Sequence, residues 1–99
     1  MPITVLSRWS GGKRDTVVAL AKKAKVIHEK HGAEWFRMGH IHTGLWTGHT
    51  MVSVRYPNWE AYGKAMDKLS QDTAYQKLMA EAGEIAKLEG RTVITSVDL

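Results

Sequence analysis

The sequence predicts one α+β domain, residues 1–99, with two helices on one face of a four-stranded antiparallel sheet in the order β-α-β-β-α-β. Three observations carry that expectation. Four short segments are rich in β-branched and aromatic residues, two longer ones repeat apolar residues every three or four positions, and a short glycine-bearing connection joins the second and third strands. Such a connection suits an antiparallel hairpin and is too short for a parallel crossover. A chain of 99 residues fits one compact domain and leaves no room for two.

Ile3 to Ser10, ITVLSRWS, is the first strand, ended by Gly11-Gly12. Asp15 or Thr16 caps or opens the first helix, where an oxygen-bearing side chain satisfies free backbone N–H groups. Its apolar stripe is Val17, Leu20, Ala21, Ala24, Ile27 and His28, with lysines on the other side and Gly32 as the stop. The second strand runs from about Glu34 to Thr43. Gly44 and Gly48 then break the chain, and Thr50 to Tyr56 is the third strand, closed by Pro57. Asn58 is placed to cap the second helix. The apolar residues of that helix fall into two sets, Trp59, Tyr62, Met66 and Leu69, then Tyr75, Leu78, Met79, Ala82 and Ile85, so a bend or break is expected between residues 70 and 73. Gly90 precedes a last strand from Arg91 to Val97. Two right-handed crossovers around the central hairpin make the arrangement ferredoxin-like.

Composition narrows the function classes. A hydrophobic fraction of 43% with 24% charged residues describes a folded chain. Without cysteine there is no disulfide, thiolate nucleophile or zinc-thiolate site. Met-Pro-Ile-Thr-Val-Leu lacks the basic start and apolar stretch of a signal peptide, and no apolar run approaches the roughly 20 residues that cross a bilayer. A cytoplasmic protein with no membrane association is expected. The formal charge is +4, yet the basic residues are dispersed and later mixed with Asp and Glu. That pattern reads as a solvated surface rather than a nucleic-acid-binding stripe, and no nucleic-acid partner is expected.

Both faces of the sheet carry large apolar groups. Phe36 and Met38 alternate with Trp35 and Ile41, and Val52, Val54 and Tyr56 alternate with Met51. Helices cover only one face, so the other is expected to pair with a second copy as a homodimer. The segment from Met51 to Met79, MVSVRYPNWEAYGKAMDKLSQDTAYQKLM, together with the element order, resembles the dimeric α+β barrel superfamily, in particular NIPSNAP-like and antibiotic-biosynthesis-monooxygenase-like small proteins. The resemblance implies a cavity between two sheets and a range of activities among relatives, from cofactor-independent monooxygenases to isomerases and haem-degrading enzymes. Haem-degrading relatives hold iron with a histidine late in the second helix. Trp59 to Ala86 contains no histidine, so no haem and no other cofactor is expected.

His40 and His42 are the sharpest local feature, because strand periodicity points both imidazoles to one face. With the hairpin centred near Trp46 and Thr47, that face also bears Met38, Met51, Ser53 and Arg55, and Arg8 of the first strand can join them. Histidine as proton acceptor and arginine as oxyanion partner suit a small anionic or enolisable ligand. The competing reading is a structural or solvent-facing histidine pair, since a one-residue shift in register reverses the faces. No metal site is expected: two strand histidines need a third ligand, His49 lies in the loop, and His28 and His31 suit a helix end. Trp46 in the hairpin loop is placed to arch over a cavity or to reach a partner subunit. The expected function is a small homodimeric barrel binding a small hydrophobic or anionic molecule between sheets. The alternative is a cofactor-independent monooxygenase or isomerase acting on an enolisable substrate.

Overall fold

The computed structural model describes residues 1–99. Its elements are β1 (Ile3–Ser10), α1 (Arg14–Lys30), β2 (Trp35–His40), β3 (Thr50–Tyr56), α2 (Trp59–Gln71), α3 (Thr73–Ile85) and β4 (Lys87–Thr95). The strands form one antiparallel sheet in the order β2-β3-β1-β4, the ferredoxin-like topology expected. The break expected between residues 70 and 73 divides the second helical segment into α2 and α3. Asp72 makes it, its carboxylate accepting from the backbone N–H groups of Ala74 and Tyr75 at the start of α3. Asn58 likewise caps α2 through Ala61 N–H at 2.8 Å.

Three boundaries differ from expectation. α1 begins at Arg14 behind Lys13, which makes no side-chain cap, so Asp15 lies inside the first turn, where its charge still suits the helix's positive end. β2 stops at His40 rather than Thr43. Beyond it Ile41 N–H donates to the His49 carbonyl and Gly48 N–H to the Ile41 carbonyl, so 41–49 close as a loop centred on Leu45. β4 starts at Lys87, before Gly90, and ends at Thr95. A register shift between Arg8 and Trp9 absorbs one extra residue and lets β4 pair on both sides of Gly90.

The helix-facing side of the sheet carries Ile3, Val5, Ser7 and Trp9 of β1, Phe36, Met38 and His40 of β2, and Thr50, Val52, Val54 and Tyr56 of β3. Under α2 this layer is sealed: Ile3 and Ala65 are fully buried, Tyr56 is 1% exposed and Leu69 3% exposed. Under α1 it is not, and α1 has no buried residue. The cause is compositional. Ala21 and Ala24 of α1, Ala82 of α3 and Ala86 just beyond it line the gap, each with a single carbon where a leucine would fill it. Gly12 closes one end. Its φ is +82°, and an added Cβ would stand 2.7 Å from Val17 Cγ2 and 3.1 Å from the Ile85 carbonyl, so only glycine lets the β1–α1 turn rest against the end of α3. No helix is long and apolar enough to cross a membrane.

Candidate functional site

The gap under α1 and α3 is a cavity of ≈ 130 Å³, lined by 24 residues of which 19 are hydrophobic. An engineered apolar cavity of about 150 Å³ takes up benzene, so this one is of single-ring size. Polar side chains interrupt the apolar wall, among them Ser7 from β1, His28 from α1, Thr50 from β3, Tyr75 from α3 and Arg91 from β4.

His28 occupies the last full turn of α1, one turn after Ala24 and two after Ala21 on the same stripe. Its Nδ1 lies 2.8 Å from the Ala24 carbonyl, an oxygen that can only accept, so Nδ1 carries the proton and Nε2 is left as an acceptor. The ring packs 5.3 Å from Phe36 and edge-on to Tyr75 at 5.5 Å. Burial holds the imidazole below its ordinary value of 6.5; the charges of Arg91 and His31 add to this, and the Ala24 hydrogen bond opposes it. His28 is therefore neutral at pH 7, the form in which it can accept a proton.

Tyr56 is buried, and its hydroxyl has no hydrogen-bond partner. Its ring meets Tyr62 edge-on at 5.6 Å. Burial, with smaller contributions from Tyr75 and Tyr62, pushes the phenol up to about 12, while Arg91 pulls the other way. It stays a neutral phenol at any physiological pH. Arg91 sits at the exposed rim, where its Nε donates to Ser7 Oγ at 3.3 Å across the β1–β4 ladder. It forms no ion pair with any carboxylate.

The helical walls are tied together at one end. His31 Nε2 and Asp72 Oδ2 lie 2.6 Å apart, with both side chains mostly covered, which joins the C-terminus of α1 to the start of α3. The hydrogen bond from His31, with those from the backbone of Tyr75 and Ala74, holds the Asp72 carboxyl below its usual range. Because Asp72 also caps α3, the clasp fixes Tyr75 opposite His28.

The residues singled out from the sequence are divided between two faces. His40 is on the helix-facing side, its Nδ1 3.3 Å from Thr50 Oγ1. His42 lies in the loop. Both border a more open, polar recess of ≈ 400 Å³ with Arg14 and Gly12, which meets the apolar cavity at Gly11, Val17 and Thr50. Arg8 and Arg55 lie on the opposite, outer face with Met51 and Ser53. The shared face expected for His40, Arg55 and Arg8 is thus corrected. The hairpin centres on Leu45 and pairs His40 with Thr50 and Phe36 with Val54, an odd-numbered offset from the register expected, and such an offset inverts the face. Arg8 instead stacks on Trp46 at 4.2 Å and donates to His49 Nδ1 at 2.9 Å, so Trp46 folds onto the outer sheet face. Arg55 Nε is 3.6 Å from Glu34, too far for a hydrogen bond.

Sequence reasoning placed His28 on the apolar stripe of α1 but read it as a helix-end residue. The informative signal was an imidazole among alanines, on a stripe too small to fill the space beneath it. Nothing local marked Arg91, whose place depends on a bulge opposite β1.

A search of curated proteins returns no significant match to this sequence. Solved structures share the fold. SnoaB from Streptomyces nogalater, a cofactor-independent oxygenase, superposes with a TM-score of 0.76 at 10% identity over 99% of this chain and 95% of its own. Rv0793 from Mycobacterium tuberculosis gives 0.70 at 18% identity over 100% and 98%. At3g17210 from Arabidopsis thaliana gives 0.66 at 18% identity over all of both chains. At these identities the likeness establishes the fold alone. A family match covers residues 2–96, and by it the chain belongs to the family described as Domain of unknown function (DUF6854).

Proposed function

We propose that the protein binds a small molecule with a single-ring-sized apolar body in the cavity between helices and sheet and uses His28 to remove a proton from it. The observation that carries this reading is the imidazole itself: neutral, held in one tautomer by Ala24, and set in the wall of an apolar cavity. The ligand's C–H bond beside a carbonyl breaks, the proton goes to His28 Nε2, and the electron pair moves onto the carbonyl oxygen as an enolate. With dioxygen as oxidant, the enolate carbon bonds to oxygen, the peroxide takes the proton back from His28, and loss of water leaves a new carbonyl, so that CH₂ and O₂ become C=O and H₂O. Sharing a fold with a cofactor-independent oxygenase supports this chemistry, as does the earlier resemblance to monooxygenase-like proteins. A second copy seated on the outer sheet face belongs to the same reading. Leu6, Trp35, Met51 and the 46%-exposed Ile94 lie on that face, and sedimentation equilibrium decides the state.

The test uses phenylacetone in D₂O, followed by NMR. Exchange of its α-hydrogens faster than in buffer, abolished in His28→Gln, is the expected result. Saturable binding with no exchange above buffer removes the base from the reading and leaves a ligand-binding protein.

A further inference from the structure

One charged group of the cavity takes no part in proton removal and lacks the partner its chemistry calls for. Arg91 carries a full charge at the rim without a carboxylate, its orientation fixed through Ser7. It lines the same cavity as His28, whose proton affinity its charge lowers. The cavity they share is apolar and of ≈ 130 Å³.

We infer that the ligand is a single-ring organic anion, its ring in the apolar cavity and its carboxylate on the Arg91 guanidinium at the rim. This rests on the proposed cavity reading and narrows it to one substrate class. A guanidinium presents parallel N–H donors that match a carboxylate, and at a partly desolvated rim such a bond is charge-assisted. The cavity sets the size: its ≈ 130 Å³ is close to the volume that takes up one benzene ring. Arg91 is also among the charges that keep His28 deprotonated. An anion seated on Arg91 cancels that influence, so the imidazole becomes more basic when a ligand is bound, in the direction that favours proton removal.

Benzoate and nitrobenzene are nearly the same shape and differ by one charge. Calorimetric titration is expected to show benzoate binding about tenfold more tightly than nitrobenzene, the effect of one charge-assisted hydrogen bond. The gap closes to less than about threefold in Arg91→Gln, with nitrobenzene affinity unchanged. In NMR titrations benzoate raises the pKa of His28 in the wild-type protein and not in Arg91→Gln, a shift that a merely structural arginine would not produce. Equal affinity for the two probes, unaffected by Arg91→Gln, overturns the anion inference while the cavity reading stands. Failure of both probes to bind overturns the cavity reading itself.

Discussion

The two ends of the helix–sheet layer use the same sheet face and reach opposite outcomes. Beneath α2, Ile3, Tyr56, Ala65 and Leu69 interlock and exclude solvent. Beneath α1 and α3, alanines stand where larger side chains would close the layer, and α1 contributes nothing fully buried. One end supplies stability and the other supplies space. Tyr56 stands at the boundary, a member of the sealed cluster that also borders the cavity, its hydroxyl buried without a partner. A small domain has little stability to spare, so a cavity left in its core implies a use for the space.

That contrast can be broken by mutation, and the largest effect is expected in the sealed end. Leu69→Ala should cost roughly 2–5 kcal/mol, the range for a leucine deleted from a tight core. Leu20→Ala, at the cavity wall, should cost only about 1 kcal/mol, because its side chain already lacks partners on one side. Urea denaturation of both variants compares them directly, and equal losses would mean that the two ends are packed alike. Next comes Ala82→Leu, which fills the cavity. It should weaken uptake of a ring-sized ligand at least about tenfold, read by calorimetry, while the urea midpoint stays the same or rises.

The smallest effect sharpens the boundary at Tyr56. Removing a buried hydroxyl without a partner relieves its desolvation, so Tyr56→Phe should raise stability at pH 7 by about 1 kcal/mol. The pH dependence follows in sign. An unfolded tyrosine ionises near 10 and the folded one at about 12, so between those values the unfolded chain has already released a proton that the folded chain keeps. The wild-type protein should therefore lose stability as pH rises from 10 to 12, and Tyr56→Phe should lose less, measured by urea midpoints across that interval.

Features set by local chemistry could be read from the sequence. The order of elements followed from periodicity, the cap at Asn58 from its place before an apolar repeat, and the break at Asp72 from the polar run between two apolar sets. The faces of the hairpin could not be read, because they depend on where a nine-residue loop turns. A centre at Leu45 instead of Trp46–Thr47 separates His40 from Arg55. His28 was visible as a member of the α1 stripe, but its setting follows from how far α1 and α3 stand off the sheet. Arg91 meets Ser7 across 84 positions of sequence and through a bulged register, information that no local window holds.

The central claim is that the space under α1 and α3 is a cavity open to ligands, and a crystal structure under xenon pressure tests it most directly. Xenon enters dry apolar cavities of this size without needing any particular polar contact. A xenon atom in the space lined by Ala21, Ala24 and Ala82, with the surrounding side chains unmoved, is the expected result. Phe36, Met38 and Met79 closed over one another with no xenon between them would contradict it.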